Sequence, residues 1–173
     1  KGTSDSASFD NALEFLLITG RPLAKALSIL IPEAWASRQH MEVKRRKFYE
    51  YHANIMEPWD GPATVAAFDN NQLCVVLDRN GLRPARYCLT RDDRLIFGSE
   101  VGVVDLDPND YKYCGRVWPG KMIMLDLNHG FKVDEEIKKS FIADKDYHTW
   151  LDKYSLSLKE LPVPKVSKES EDS

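Results

Sequence analysis

Hydroxyl and carboxylate side chains crowd the start of the sequence, directly before a run of residues that predicts a helix. Ser4, Asp5 and Ser6 precede apolar residues that begin at Phe9. Side chains of these types cap helices, because their oxygens accept the unpaired amide protons of the first turn and their charge suits its positive end. The same position would also present one carboxylate as a receptor for the ammonium group of a substrate. Composition alone favours capping, and the ammonium-binding interpretation stays open beside it.

The three cysteines are weak candidates for a nucleophile. Cys74 and Cys88 fall inside predicted strands, where a thiol packs as an inert apolar group. Cys114 lies close to Arg116, but no neighbouring histidine or sharp turn supports a reactive thiol. The wide spacing and the odd number of cysteines argue against a disulfide framework and a zinc ribbon, and they favour a reducing compartment.

The remaining polar motifs favour structural roles. The turn that contains Arg79, Gly81 and Arg83 could hold an anion, although a hairpin turn with solvated arginines is the favoured interpretation. The basic run 44–47 predicts a solvated helix face, and His52 on an apolar face predicts a core residue. No histidine spacing indicates a metal site. The histidines are His40, His52, His129 and His148.

The overall composition excludes several classes of protein. The chain has 173 residues, with 24 basic and 27 acidic side chains and a formal charge of −3. This balance argues against a nucleic-acid partner, and no apolar run reaches the length of about 18 residues that predicts a membrane span. The first residues do not resemble a secretory signal. We therefore expect an intracellular, mixed α/β domain with neither a nucleic-acid nor a membrane partner.

The first sixty residues predict three helices. In the first, apolar residues recur at helical spacing from Phe9 to Leu17, with Ser6 or Ser8 as the cap and Gly20 as a left-handed end. The second lies between the prolines at 22 and 32, and the third spans 42–56. The residues of the third helix predicted to face inward are Phe48, Tyr51, His52 and Ile55.

The middle of the sequence changes to a strand pattern. The predicted strands are 63–68, 73–77, 85–89, 95–97, 122–127 and a short one at 131–133, followed by helices over 135–142 and 147–154. The turns at 69–71, 80–81, 91–93 and 128–130 suit hairpins. The run 73–77 is apolar without alternation, which indicates a strand covered on both faces. We expect a mostly antiparallel sheet in residues 1–154 and a linker or disordered tail over 155–173.

Several motifs, taken together and in one order, resemble a known family. They are Ser-Asp-Ser-Ala-Ser-Phe-Asp-Asn (4–11), Ile-Pro-Glu-Ala-Trp (31–35), Met-Glu-Pro-Trp-Asp-Gly-Pro-Ala (56–63), Leu-Asp-Arg-Asn-Gly-Leu-Arg-Pro-Ala-Arg-Tyr (77–87) and Ser-Glu-Val-Gly (99–102). They are similar to the glutaminase domain, a type 2 glutamine amidotransferase, of the glutamate synthase large subunit. The similarity runs from about residue 4 to about residue 151 and covers nearly all of the chain before the tail.

The resemblance implies an α/β fold of the N-terminal-nucleophile hydrolase type, with two antiparallel sheets between helical layers. In that family an amino-terminal cysteine attacks the side-chain amide of L-glutamine, and an Asn-Gly pair forms the oxyanion hole. The ammonia that is released serves glutamate synthesis from 2-oxoglutarate in synthase domains that use FMN and an iron–sulfur cluster. The resemblance implies no cofactor and no metal within this chain, and it implies the cytoplasm, or an organelle stroma or matrix, as its location.

The sequence departs from the family at the nucleophile. Residue 1 is Lys, and no cysteine precedes Cys74, so we expect the nucleophile, the oxyanion pair and an N-terminal half of the domain to lie upstream. Asn80-Gly81 belongs to a different motif from the oxyanion pair. The chain then carries no catalytic residue and is expected to be inactive alone. Asp5 aligns with the aspartate that holds the glutamine ammonium, with Ser4 and Ser6 as supports. A non-catalytic docking or regulatory module of the same fold is the alternative.

Overall fold

The computed structural model describes residue 2 and residues 4–162, which form five α-helices and seven β-strands. The helices are α1 (Asp5–Ile18), α2 (Leu23–Leu30), α3 (Val43–Ala53), α4 (Asp134–Ile142) and α5 (Tyr147–Tyr154). The strands are β1 (Thr64–Asp69), β2 (Gln72–Leu77), β3 (Arg86–Thr90), β4 (Leu95–Gly98), β5 (Tyr111–Arg116), β6 (Met122–Asp126) and β7 (Gly130–Val133). Every strand pairing is antiparallel, which confirms the predicted mixed class.

The strands form two sheets that pack face to face. One sheet has four strands in the order β1-β2-β6-β7, and the other has three in the order β4-β3-β5. Helices α2 and α4 pack on the four-stranded sheet, while α1, α3 and α5 pack on other helices. The described helices therefore form one of the helical layers that the family resemblance implies.

Strand β2 is covered on both of its faces. Cys74 and Val76 pack into the core beneath the helices, whereas Val75 and Leu77 pack into a second core between the sheets. All four side chains are at most 2% exposed. A strand buried on both faces needs apolar residues at successive positions, so the prediction from the unbroken apolar run is confirmed.

Helix α1 begins earlier than the apolar pattern indicated. Ser4 is the N-cap: its backbone is extended (φ −70°, ψ 158°), and its Oγ accepts a hydrogen bond from the amide of Ala7 at 3.2 Å. The prediction of Ser6 or Ser8 as the cap is therefore wrong, because both residues already lie inside the helix. At the other end, Gly20 adopts φ +82° and confirms the predicted left-handed stop.

Helix α3 confirms one prediction about its inward face and contradicts another. His52 is buried, and its Nδ1 donates to the carbonyl oxygen of Phe48 at 2.7 Å. Burial lowers the pKa of His52 to about 4, because a charged imidazole would lose its hydration there. Ile55 is 55% exposed, since the helix ends at Ala53 and its periodicity no longer applies. His52 is thus a core residue, and the inward position predicted for Ile55 is wrong.

A buried ionic network joins α3 and α4 to the segment after α2. Oε1 of Glu33 accepts from Arg45 Nε at 2.6 Å, from the Tyr49 hydroxyl at 2.9 Å and from Lys138 Nζ at 3.2 Å. Lys138 also pairs with Oδ1 of Asp134 at 2.7 Å. The side chain of Arg45 is only 11% exposed, so the outward position predicted for it is wrong. The two buried carboxylates draw its guanidinium inward.

Two features of the sheets differ from the sequence prediction. Strand β5 was not predicted; it lies at the edge of its sheet, and most of its residues are exposed, so it lacks an apolar pattern. Asn80-Gly81 does not close a hairpin, because β2 already pairs with β1 and β6 and has no free edge for β3. The turn instead carries the chain from one sheet to the other. The other three predicted turns join β1 to β2, β3 to β4 and β6 to β7.

The last described residues follow α5 as an exposed segment. Residues 155–162 contain one turn of 3₁₀ helix, Leu158–Glu160, and its Leu158 side chain is 85% exposed. The rest of the predicted tail, 163–173, lies outside the described residues. Among the helices of the described part, none has the length and apolar character that a membrane span requires.

Candidate functional site

Three of the motifs meet at one corner of the molecule. The rings of Phe9 and Trp59 meet in a T-shaped contact, with centroids 5.6 Å apart and planes at 86°, which joins α1 to the loop before β1. The amide of Trp59 donates to the carbonyl of Leu30 at 2.7 Å and fixes that loop on the end of α2. Asp60 of the loop then pairs with Arg79 of the turn after β2 at 3.5 Å. Residues far apart in sequence thus form one surface at the amino end of α1.

The three residues predicted to bind substrate lie together at this helix end, but they differ in their roles. Ser4 caps the helix, and its Oγ lies 3.0 Å from the Oγ of Ser6. Asp5 occupies the first turn, is exposed and takes no part in the cap. The partial positive charge of the helix end stabilises a carboxylate at that position. Because Ser4 supplies the cap and Asp5 is exposed, an ammonium group could pair with the Asp5 carboxylate.

A groove of about 550 Å³ runs beside this helix end and along the exposed edge of β1. Its volume falls within the range of about 300 to 1,000 Å³ that is typical of small-molecule sites. Asp5 does not line the groove, but the adjacent Ser6 does. The lining residues are Ser6, Ala7, Phe9, Asp10, Trp59, Ala63, Thr64, Val65 and Ala66.

Two polar atoms of the groove residues are buried without a hydrogen-bond partner in the described structure. They are Nε1 of Trp59, a donor, and Oγ1 of Thr64, which can donate or accept. Buried polar groups are nearly always paired, so these two unpaired atoms make the groove a candidate site for a polar ligand. Sequence reasoning missed both residues as site candidates. The position of Trp59 inside the Pro-Trp-Asp-Gly-Pro segment was the signal that could have found it.

The turn after β2 is held by a buried carboxylate. Asp78 is 3% exposed and accepts from the amide of Ala63 at 3.3 Å and from the amide of Asn80 at 2.8 Å. The backbone amide of Asn80 is therefore already occupied by the Asp78 carboxylate. Arg79 pairs with Asp60 rather than presenting a bare cation. The turn thus serves to fix the neighbouring loop.

Two of the cysteines are unsuited to nucleophilic attack. Cys74 is 0% exposed, and burial raises its pKa to about 12. Cys88 is 5% exposed, and burial together with the neighbouring Cys114 thiol raises its pKa to about 11. Both thiols therefore stay protonated near neutral pH. Cys114 is exposed on β5, in the sheet that does not contribute to the groove.

The other candidate groups lie elsewhere. His129 contacts Asp126 at 3.1 Å, and His148 contacts Asp152 at 2.8 Å, both as local pairs. Among residue 2 and residues 4–162, no group of three or more His, Cys, Asp or Glu side chains is placed to hold a metal ion. Residues 100–102 of the Ser-Glu-Val-Gly motif are exposed and lie beside β3 and β4, away from the groove.

Comparison with known proteins agrees with this arrangement of motifs. The chain is 47% identical to the glutamate synthase [NADPH] large chain of Bacillus subtilis over 150 residues, which are 86% of this chain and 10% of the relative. It is 44% identical to glutamate synthase [NADH] of Schizosaccharomyces pombe over 154 residues, 88% of this chain and 7% of the relative. It is 42% identical to the chloroplastic ferredoxin-dependent glutamate synthase of rice (Oryza sativa subsp. japonica) over 160 residues, 90% of this chain and 10% of the relative. The chain thus spans a tenth or less of the length of these relatives.

The family model described as "Glutamine amidotransferases class-II" matches residues 1–150. This range includes all the helices and strands up to the middle of α5, and it includes the three motifs that meet beside the groove. The chain therefore belongs to the class-II glutamine amidotransferase family.

Proposed function

We propose that this chain is part of the glutamine-hydrolysing domain of a glutamate synthase, a domain that releases ammonia from L-glutamine for glutamate synthesis from 2-oxoglutarate. The observation that carries the proposal is the exposed carboxylate of Asp5 at a helix end that Ser4 already caps, beside a groove of suitable size. The similarity to three glutamate synthases over at least 150 residues supports it.

Asp5 receives the α-ammonium group of glutamine in this proposal. A hydrogen bond between charged partners contributes about 1.5 to 3 kcal/mol, which is enough to select an amino acid over a simple amide. Ser6 lies next to Asp5 and also lines the groove, so it can orient the carboxylate towards a ligand seated there. Ser4 acts more indirectly, because its hydroxyl holds the first turn of α1 and contacts Ser6.

The nucleophile and the oxyanion hole come from outside this chain in the same proposal. An amino-terminal cysteine and an Asn-Gly pair, supplied by an upstream half of the domain, attack the amide and stabilise the charge that develops on its oxygen. Residues 1–154 then form the downstream part of the domain, and 155–173 form a linker towards the synthase domains. Those domains hold the FMN and the iron–sulfur cluster, and the enzyme resides in the cytoplasm or in an organelle stroma or matrix.

The electron donor of the parent enzyme does not follow from this domain. The three relatives carry NADPH, NADH and ferredoxin in their names, yet their identities to this chain differ only between 42% and 47%. The residues that distinguish the donors therefore belong to other parts of those enzymes in our proposal.

In the complete enzyme, the Asp5→Asn substitution is expected to raise the KM for glutamine about thirtyfold, equivalent to about 2 kcal/mol, with kcat changed much less. Asparagine keeps the size of the side chain but removes the charge that pairs with the ammonium group. Initial rates of ammonia release over a range of glutamine concentrations measure both constants. A rise in KM of less than about threefold would contradict the assignment, because it corresponds to only ~0.7 kcal/mol.

Glu14→Gln is the matched control for this substitution. Glu14 is an exposed carboxylate on the same helix and does not line the groove, so its replacement removes an equal charge without touching the site. We expect its KM to stay within about twofold of wild type, since distant surface charges are screened. Thermal unfolding of both variants separates binding from capping: a capping role of Asp5 would lower the stability while leaving the KM unchanged.

The 173-residue chain alone is expected to release no ammonia from glutamine. Cys74 and Cys88 are buried with raised pKa values, and Cys114 stands away from the groove, so no thiol of the chain meets a ligand bound beside Asp5. A coupled assay for ammonia, run with the purified chain, tests this directly. Ammonia release that disappears in a Cys114→Ser variant would overturn the proposed division of roles.

A further inference from the structure

Two of the three cysteines stand directly opposite each other on neighbouring strands. Cys88 of β3 and Cys114 of β5 are partners in the antiparallel register. Further along the same ladder, the amide of Val117 donates to the carbonyl of Ala85 at 2.9 Å, so these two residues form a hydrogen-bonded pair. Bonded and non-bonded pairs alternate in an antiparallel ladder. Cys88 and Cys114 lie three positions further along. Because three is an odd number of steps, the pair type changes, and the two cysteines form a non-hydrogen-bonded pair.

This position brings two thiols within reach of a disulfide. In non-hydrogen-bonded pairs the Cα atoms lie about 4.5 Å apart and the Cβ atoms about 4.5 to 5.5 Å apart. A disulfide requires Cα atoms about 4.4 to 6.8 Å apart and Cβ atoms about 3.5 to 4.5 Å apart. Closing the bond therefore needs a shift of about 1 Å or less at an edge strand. The neighbouring Cys114 thiol also contributes to the raised pKa of Cys88.

The two thiols differ in access. Cys114 is exposed on edge strand β5, whereas Cys88 is 5% exposed. Arg86 and Arg116 are also exposed and form the second register pair along from the cysteines, after Tyr87 and Gly115. They lie two residues from the cysteines, so their side chains leave the same face of the sheet. Their charges would attract an anionic oxidant to the thiol that solvent reaches.

We propose that Cys88 and Cys114 form a modification site that a low-molecular-weight disulfide, such as oxidised glutathione, converts into a cross-strand disulfide. The Cys114 thiolate attacks one sulfur of the oxidant, which forms a mixed disulfide and releases one glutathione thiolate. Cys88 then loses its proton and attacks the Cys114 sulfur, which releases the second glutathione. Two protein thiols are oxidised, and the disulfide of the oxidant is reduced to two thiols. Cys74 belongs to the other sheet and does not take part.

The test follows the thiols of the purified full chain by mass spectrometry. The reduced protein is incubated with oxidised glutathione, quenched in acid, unfolded and alkylated. Wild type is expected to lose two alkylation sites and to retain no glutathione, with Cys74 as the only labelled residue. A protease digest is then expected to contain one cross-linked peptide that joins Cys88 to Cys114. This measurement needs no variant.

Single substitutions separate the two steps. Cys88→Ser is expected to keep a stable glutathione on Cys114, because the second attack is lost, and Cys114→Ser is expected to stay almost unmodified. Cys74→Ser is the matched control and should still lose two alkylation sites. In urea the register is absent, so we expect the pair to close at least about tenfold more slowly than in the folded chain.

Three results would overturn the proposal. One is a lasting glutathione on Cys114 of the wild type with Cys88 still free to be alkylated. Another is a cross-link that includes Cys74. The third is closure at equal rates in urea and in buffer, since the register would then make no contribution. The inference does not depend on glutamine hydrolysis, so the failure of either proposal leaves the other standing.

Discussion

Replacing Gly81 with alanine is expected to lower the free energy of unfolding by about 4 kcal/mol. Gly81 adopts φ +65°, where a side chain costs about 1 to 2 kcal/mol. A Cβ at this position would also lie 2.8 Å from Cβ and 3.3 Å from Cα of Pro119. The proline ring and backbone cannot rotate away, so the turn that joins the two sheets would have to move. Overpacking of this kind adds about 1 to 3 kcal/mol.

Urea titrations of the wild type and the variant measure this loss through the midpoint and the slope. Gly130→Ala is the matched control, because Gly130 adopts φ +81° but has nothing within 4 Å of the added Cβ. It should therefore show only the backbone cost, about 1 kcal/mol. If the two variants lose equal stability within about 0.5 kcal/mol, the contact with Pro119 contributes nothing and the prediction is wrong.

The second large effect is expected at the buried ionic network, where Lys138→Met should cost about 3 kcal/mol or more. Lys138 is 2% exposed, and its ammonium group lies 3.2 Å from Glu33 and 2.7 Å from Asp134. It also donates to the carbonyl of Gly120 at 3.0 Å. Methionine fills a similar volume but leaves two buried carboxylates short of one positive charge. The penalty therefore comes from the charges that remain rather than from a cavity.

Two further variants, measured by urea unfolding, test whether the unpaired charges cause this loss of stability. Lys139→Met changes the neighbouring, exposed lysine and should stay within about 0.5 kcal/mol of wild type. The double variant Glu33→Gln/Lys138→Met removes one negative charge along with the positive one, so it should recover at least about 1 kcal/mol relative to Lys138→Met. A double variant no more stable than Lys138→Met would contradict the prediction, because removing the Glu33 charge would then bring no recovery.

The parts of the fold that were predicted correctly are those fixed by local patterns. Gly20 stops α1 because only nearby residues decide its left-handed geometry, and the run 73–77 indicates its double burial directly. Strand β5 escaped prediction because it sits at a sheet edge and most of its residues are exposed. Arg45 was placed outward because its partner Asp134 is 89 residues away, and no local pattern records such a contact.

In the candidate site, too, local patterns predicted some features, whereas others depend on contacts between distant parts of the chain. The helix start at Ser4–Ser6 was evident from residue types, although which serine caps the helix depends on where the backbone becomes extended. The contribution of Trp59 and Thr64 depends on how α1 packs against the loop before β1, which no local pattern contains. The nearness of the turn at Asp78 to that loop likewise arises only when β1 pairs with β2.

The double burial of β2 has a consequence for how this sequence can change over time. The packing of Cys74 and Val76 is constrained by the helices, whereas that of Val75 and Leu77 is constrained by the second sheet, although all four residues are consecutive. A change of volume at one of them cannot be offset by its neighbour along the chain, because that neighbour faces a different core. A compensating substitution has to come from the residues packed against the same face of β2. We therefore expect adjacent positions of this strand to be substituted independently, and each position to be substituted together with its packing partners from other elements.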